Sequence, residues 1–167
     1  MYKAIETACA IVNYANDKNR PISNLKLQKV LYFVQGYYLQ MMGHEFFRDE
    51  IEAWPYGPVV PNVYEQFQQF GANFIPYTNE YSEFDYYAWD ETIHYFDINE
   101  LHDEDIDFLK AVVDKLDKYS ASDLVTITHN QWPWKRAIAH GNCTVISKES
   151  IKQCFDERAG SIPNGRQ

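Results

Sequence analysis

The sequence lacks several features that would place it in a familiar class of protein. No apolar run approaches the roughly 18–20 residues that span a bilayer, and residues 1–6 (MYKAIE) lack the basic-then-apolar order of a signal peptide. Neither GxGxxG, a Walker A loop nor GxSxG occurs, because the seven glycines stand singly. We therefore expect a cytoplasmic protein that works without a membrane and without a cofactor.

Cysteine is also scarce, and its spacing argues against a disulfide framework. The three residues Cys9, Cys143 and Cys154 form an odd set with no CxxC pair. Cys9 and Cys154 lie within helical patterns, so we interpret them as buried thiols in a reducing compartment. His129, His140 and Cys143 could supply metal ligands, but zinc sites usually show two close ligand pairs and this set has one. We expect no bound metal.

Negative charge is concentrated in one segment. Residues 79–107 hold eleven of the 24 acidic residues and none of the 15 lysines and arginines, so the rest of the chain has 13 acids against 15 bases. The net charge of −9 therefore comes entirely from this segment. A block of acids attracts basic surfaces and repels phosphate, which argues against nucleic-acid binding there. Lys18, Arg20, Lys26 and Lys29 form the only basic cluster of note, a weak footprint for nucleic acid.

Hydrophobic spacing predicts a mostly α (α+β) domain, a compact bundle of about six short helices with a small β-strand or hairpin element. Apolar residues fill most of the circumference of a helix that we expect to sit centrally, over residues 24–42. Ser23 or Asn24 can cap this helix, Gly43 can end it, and Gly36 can mark a close helix crossing. We predict a single domain over 1–158 with an acidic, aromatic insertion at 79–107, and a flexible tail over 159–167.

The acidic segment is also rich in aromatic residues, which are rare in disordered chains. We predict a loop with a hairpin whose strands are residues 86–89 and 93–96. Two interpretations stay open: the rings can pack on one another beneath solvated acids, or they can form a recognition surface on which acids steer a basic partner. Under the second interpretation, the partner-binding residues are Glu80, Glu83, Asp85, Tyr86, Tyr87, Trp89 and Asp90.

A hydrolytic site can also be considered, built from His129 and Asp123 with Cys143 or a serine as the nucleophile. No pattern marks an oxyanion hole, and each residue has a structural role. Asp123 completes a capping box with Ser120, and His129 can bond the backbone near the Trp-Pro turn that follows it. The structural interpretation is favoured, because a His–acid pair alone gives many false positives.

Three stretches carry a family resemblance. They are residues 22–39 (ISNLKLQKVLYFVQGYYL), 50–64 (EIEAWPYGPVVPNVY) and 124–134 (LVTITHNQWPW). Together and in this order they resemble the Panacea domain family, which includes SocA-like antitoxins and GepA-like phage-associated proteins; the third is similar to the family's TH…PW signature. The resemblance covers the chain from near its start to about residue 155.

The resemblance implies an antitoxin that neutralises a co-encoded toxin by direct contact, with the cognate toxin as partner. Some relatives act as adaptors that present the toxin to a protease, so a cytoplasmic protease is a second expected partner. The resemblance implies no catalytic residues, so we do not expect an enzyme and interpret the motif residues as scaffold. These residues are Trp54, Tyr56, Gly57, Pro58, Thr128, His129, Trp132, Pro133 and Trp134. The alternatives are a small hydrolase or transferase that uses His129 and Asp123, and a phage-associated regulatory protein without a toxin partner.

Overall fold

A single buried helix organises the fold. In the computed structural model, which describes residues 1–162, this helix (α2, Asn24–Met42) begins after Ser23, whose hydroxyl accepts a hydrogen bond from the Lys26 N–H group. It ends at Gly43, whose φ of 79° is a left-handed conformation that glycine adopts without strain. Thirteen of its 19 residues are buried, which confirms the predicted central position.

Six further α-helices pack around α2 within residues 1–162. Ser120 and Ser147 cap two of them with their side-chain hydroxyls, and the cap at Ser120 was predicted. The helices are α1 (Ala4–Asp17), α3 (Pro61–Phe67), α4 (Asp103–Leu116), α5 (Ala121–His129), α6 (Trp132–Ile138) and α7 (Lys148–Asp156). Short 3₁₀ turns follow α3 (Gln68–Phe70) and precede α4 (Ile98–Glu100). The predicted fold class, mostly α with a small β component, is confirmed.

A three-stranded antiparallel sheet covers one side of α2. Its central strand β1 (Glu52–Trp54) pairs with β2 (Gly57–Val59) and with β5 (Thr144–Val145). In this register Ala53 lies opposite Pro58. The sheet therefore brings the turn between β1 and β2 next to the segment that precedes α7.

The acidic segment folds as a hairpin, but not with the predicted strands. The strands are β3 (Glu80–Asp85) and β4 (Asp90–Tyr95). Residues 86–89, predicted as a strand, form the turn, and the strand predicted over 93–96 begins three residues earlier. The physical reason is the Asp85 carboxylate, which accepts hydrogen bonds of 2.7 and 3.1 Å from the backbone N–H groups two and three residues later. Such an Asx turn ends the strand pairing.

Polar side chains of α2 bind the backbone of the segments that surround it. The amide of Gln35 accepts hydrogen bonds from the N–H groups of Phe46 and Phe47 and donates one to the Phe47 carbonyl. The Gln28 amide accepts a hydrogen bond of 2.9 Å from the Val60 N–H group. Buried backbone groups without partners cost free energy, so these contacts fix where the extended segments cross the helix.

One hydrophobic cluster runs from Ala4 to Ile162. Cys9 and Cys154 are buried free thiols, as predicted, and burial raises the pKa of both. Of the helices in the described part of the chain, none is both long enough and apolar enough to cross a membrane.

The chain is still packed where its described part ends. The Gly160 carbonyl accepts a hydrogen bond of 2.9 Å from the Gln131 amide. The N–H group of Ile162 donates one of 3.2 Å to the Tyr37 hydroxyl. Residues 163–167 lie outside the described part, so the predicted domain over 1–158 and tail over 159–167 stay a prediction, with the packing continuing at least four residues past 158.

Gly36 lies where α2 crosses α7, which confirms the predicted close approach. A Cβ at this position would lie 2.2 Å from two carbons of the Phe155 ring. The same ring also meets Tyr37 edge-on, with 5.1 Å between ring centroids. No side chain larger than a hydrogen fits between the two helices here.

We expect Gly36→Ala to lower the free energy of unfolding by about 1–3 kcal/mol, the usual cost of overpacking. At an exposed helix position, Gly→Ala would stabilise the protein by about 1 kcal/mol. The sign of the change in the free energy of unfolding therefore distinguishes crowding from helix propensity. Urea unfolding of the variant measures it. The loss should be smaller in a Phe155→Leu background, and a Gly36→Ala protein as stable as wild type would contradict the close crossing.

Candidate functional site

The scaffold motifs meet at one buried lysine. Lys29, on α2, has no exposed surface, and its ammonium group donates a hydrogen bond of 2.9 Å to the Pro58 carbonyl. Among the described residues, no carboxylate lies within salt-bridge distance of it. Burial lowers the pKa of Lys29 to about 7, because an apolar environment disfavours the charged form.

Lys29 therefore does not contribute to an exposed basic cluster with Lys18, Arg20 and Lys26, because it is buried. Two other members also have partners within the chain: Lys26 donates a hydrogen bond of 3.1 Å to the Asp117 carbonyl, and Arg20 forms an ion pair with the Asp117 carboxylate. A charge count treats every lysine as exposed and misses this arrangement. One feature of the sequence could have predicted the burial of Lys29: it lies on a helix that is apolar around most of its circumference.

Gly57 allows the second motif to approach Lys29. Its φ of 102° is strained for any residue with a side chain. A Cβ there would lie 2.8 Å from Lys29 Cε and 2.9 Å from Thr128 Oγ1. Thr128 is buried on α5, where its hydroxyl donates a hydrogen bond of 2.9 Å to the Leu124 carbonyl. The β1–β2 turn, α2 and α5 thus meet at Gly57 with no room for a larger residue.

Trp134 joins the third motif to the second. Its indole Nε1 donates a hydrogen bond of 3.0 Å to the Trp54 carbonyl. Its ring stacks on His129, with 3.9 Å between ring centroids and 12° between planes. Burial and the nearby Lys29 charge lower the pKa of His129 below its usual value, so the imidazole is neutral at neutral pH. His129 Nε2 is buried and has no hydrogen-bond partner within residues 1–162.

The remaining scaffold residues surround this junction. Trp132 begins α6 and Pro133 is buried in its first turn, while the side chain of Tyr56 is 70% exposed at the β1–β2 turn. The expected contact of His129 with the Trp-Pro turn is replaced by the Pro55 carbonyl, which lies next to the imidazole. We refer to the contact of residues 54–58 and 128–134 with Lys29 as the lysine junction.

The hydrolytic pair is not assembled. The Asp123 carboxylate accepts hydrogen bonds from the N–H group (2.8 Å) and hydroxyl (2.7 Å) of Ser120, which lower the pKa of Asp123. Asp123 lies in the first turn of α5 and His129 is its last residue, so six helical steps place them about 9 Å apart along the axis. Within residues 1–162, no three His, Cys, Asp or Glu side chains come together as a metal-binding group.

The predicted partner-binding residues lie apart from the lysine junction, on the β3–β4 hairpin. Tyr86 and Trp89 are each 78% exposed and Tyr87 is fully exposed. The Phe84 ring meets those of Tyr86 and Trp89 edge-on, at 5.0 and 5.4 Å between centroids. The rings therefore pack on one another, as the first interpretation has it, but also face water, and the recognition surface of the second interpretation stays a prediction. We call residues 86–89 the hairpin tip.

Three of the predicted partner-binding acids have side-chain contacts within the chain. Glu83 forms an ion pair of 2.8 Å with Lys3, which attaches the hairpin to the start of α1. Asp85 holds the turn through its two backbone hydrogen bonds. The Asp90 carboxylate accepts a hydrogen bond of 2.8 Å from the Glu91 N–H group. Glu80 and Asp90 are both exposed, each at the start of its strand.

A family model and a known protein both match most of the chain. The family model described as "Antitoxin SocA-like, Panacea domain" matches residues 27–135, a range that includes Lys29, the hairpin tip and Trp134. Antitoxin SocA of Caulobacter vibrioides (strain NA1000 / CB15N) is 35% identical over 174 aligned positions, which cover 95% of this chain and 88% of that protein. No solved structure matches the chain.

The buried lysine makes stability depend on pH. The pKa of Lys29 falls from 10.5 to about 7 on folding, so between these values the unfolded chain binds more protons and the free energy of unfolding rises with pH. Lys29→Met keeps an apolar side chain of similar length and removes this titration. We expect its stability advantage over wild type to be largest below pH 7 and to shrink above it by up to about 1.4 kcal/mol per pH unit.

Urea unfolding of both proteins at about pH 6, 7.5 and 9 measures this difference. The comparison with the variant cancels the other groups that titrate in the same range. Lys118→Met, at an exposed position, controls for the loss of one positive charge. A Lys29→Met difference that stays constant with pH would show that the lysine is charged in the folded protein.

Proposed function

The chain belongs to the SocA-like Panacea domain family of antitoxins, and from this premise we propose that it neutralises a co-encoded toxin in the cytoplasm by direct protein contact. Membership of the family supports the antitoxin role. The contact surface that we propose is the hairpin tip, and the observation that carries it is the exposure of Tyr86, Tyr87 and Trp89.

The exposed rings are suited to a binding surface. Each large aromatic side chain can bury about 150–250 Å² of surface, and Tyr and Trp are enriched among the residues that carry most of an interface's binding energy. At the hairpin tip, Tyr87 has no contact that reduces its exposure, and Tyr86 and Trp89 keep most of theirs. Three such residues within four positions give a partner a compact apolar contact.

The hairpin tip is held in position before binding. The Lys3–Glu83 ion pair ties the hairpin to α1, and Tyr81 on β3 is only 4% exposed because it packs into the core. The Asx turn of Asp85 fixes the turn itself. A preorganised loop loses less conformational entropy when it binds, so the rings can contribute more of their contact energy to affinity.

The charge around the hairpin tip indicates the kind of surface that it meets. Residues 79–107 contain no Lys or Arg. Asp85 and Asp90, which pair next to the turn, border the rings, whereas Glu80 lies at the opposite end of β3. Acids at the rim of an interface accelerate the approach of a basic partner. We therefore propose a toxin with a basic face around an apolar pocket.

Neutralisation can proceed by sequestration or by delivery of the toxin to a protease, as the family resemblance implies for some relatives. The two outcomes differ in the amount of toxin that the cell retains. Sequestration leaves a stable complex, whereas an adaptor shortens the half-life of the toxin when the antitoxin is present. Pulse-chase labelling of the toxin, with and without this chain, distinguishes them.

We expect the triple variant Tyr86→Ala/Tyr87→Ala/Trp89→Ala to bind the toxin at least about tenfold more weakly than wild type, because truncation of a hot-spot residue costs more than 1 kcal/mol. Co-expression with the protein encoded beside this chain, scored by growth rescue, co-purification and calorimetry, measures the effect. The thermal midpoint should stay close to wild type, since these side chains are exposed.

The matched control is Tyr56→Ala/Phe74→Ala, which removes two aromatic side chains that are 70% and 64% exposed elsewhere on the surface. It should bind like wild type. If the triple variant rescues growth as well as wild type, the toxin binds another surface. If the neighbouring protein is neither toxic nor bound, the antitoxin proposal is wrong and a regulatory role without a toxin partner is favoured.

A further inference from the structure

A groove separate from the hairpin tip lies between α1 and α4. Its volume is about 800 Å³, and its third side is formed by residues 77–79 and 96–98, the segments that enter and leave the hairpin. Asn13 holds this third side in place, because its amide exchanges hydrogen bonds of 2.7 and 2.8 Å with the backbone of Thr78. We call this feature the α1–α4 groove.

The α1–α4 groove has an apolar floor and apolar rims. The floor and walls are formed by Ile11, Tyr14, Phe96, Ile106, Leu109 and Val113. At the rims, Tyr77 is 61% exposed and Ile98 is 40% exposed. A concave apolar surface with exposed large side chains at its edges is typical of a binding groove.

The charges around the α1–α4 groove are mostly negative. Four aspartates line it, Asp17, Asp97, Asp103 and Asp107, and Lys110 is the lone cation among the lining residues. None of the four aspartates takes part in an ion pair within the described residues. Unpaired acids around an apolar floor complement a ligand that carries positive charge beside an apolar face.

The shape of the α1–α4 groove fits a helix. Its α4 wall extends from Asp103 to Val113, and ten helical steps of 1.5 Å cover about 15 Å. That length accommodates about three turns of a partner helix, whose apolar residues at i, i+3, i+4 and i+7 would face the floor. Basic residues on the flanks of such a helix would reach the aspartates.

We infer that the α1–α4 groove binds a basic amphipathic helix of the toxin, as a second contact beside the hairpin tip. This inference rests on the proposed function, since it assigns the occupant of the groove to the same partner. The hairpin tip and three of the groove's aspartates, Asp97, Asp103 and Asp107, belong to the acidic segment, so one basic partner surface can engage the groove and the tip together.

The direct test uses a synthetic probe and does not need the toxin. A fluorescein-labelled peptide of about 15 residues, with Leu at i, i+3, i+4 and i+7 and Lys or Arg between them, is titrated into the full chain and followed by fluorescence anisotropy. We expect binding that weakens with salt, and amide chemical-shift changes on α1 and α4. A peptide of the same composition with scrambled order should not bind.

The variant Tyr77→Ala/Asp103→Asn/Asp107→Asn removes one exposed ring and two charges from the α1–α4 groove. We expect it to weaken peptide binding at least about tenfold. The matched control Tyr95→Ala/Glu65→Gln/Glu91→Gln also truncates one exposed tyrosine and neutralises two exposed acids, outside the α1–α4 groove and the hairpin tip, and should weaken peptide binding less than about twofold. Circular dichroism and thermal melting confirm that both variants fold.

The outcomes separate the inference from the proposed function. Three results would show that the groove is not a helix-binding site. The peptide does not bind, both variants weaken peptide binding equally, or the amide chemical-shift changes are confined to the hairpin. Toxin neutralisation that depends on the hairpin tip but is unchanged in the groove variant would overturn the inference while the proposed function stands. If the neighbouring protein is not a toxin, the proposed function fails and the inferred toxin helix fails with it, whereas peptide binding would still assign the groove to basic helices.

Discussion

The hydrogen bond between the Lys29 ammonium group and the Pro58 carbonyl is the constraint around which the lysine junction forms. A buried amine with one protein acceptor costs free energy, and this cost is tolerated only because the β1–β2 turn and α5 close tightly around it. Gly57 is required by that closeness, since any larger residue would contact Lys29 and Thr128. Gln28 and Gln35, also on α2, likewise bond backbone groups of neighbouring segments with their side chains. These backbone groups would otherwise need partners in a sheet or a helix. The position of the extended segments is therefore fixed by polar contacts as well as by packing.

The sequence predicts the features that depend on neighbouring residues. Ser23 and Gly43 mark the ends of α2 because capping and left-handed termination are local effects, and the capping box of Ser120 is visible for the same reason. The strands β2 and β5 are not visible, since they are two or three residues long and gain their pairing from distant segments. The burial of Lys29 is missed because a positive charge is expected at the surface.

The two parts of the proposed binding surface lie within or beside the acidic residues 79–107. The lysine junction differs from them because it is buried and, across the range that the structure describes, has no acidic side chain in contact with Lys29. The sequence could indicate the chemistry of the acidic segment but not its shape. It placed the aromatic residues 86–89 in a strand, although the Asp85 carboxylate turns the chain there and points the rings outward. It also gave no sign of the α1–α4 groove, because the groove is formed by residues nearly a hundred positions apart.

The Asx turn has a consequence for how this protein can change. Because Asp85 holds the loop through backbone N–H groups, the identities of the side chains at 86–88 are not needed to keep its shape. Under the proposed function, substitutions there would alter what the loop recognises while the interior, and with it the yield of folded protein, stays the same. Selection can therefore exchange one recognition sequence for another in single steps, without passing through an unstable intermediate.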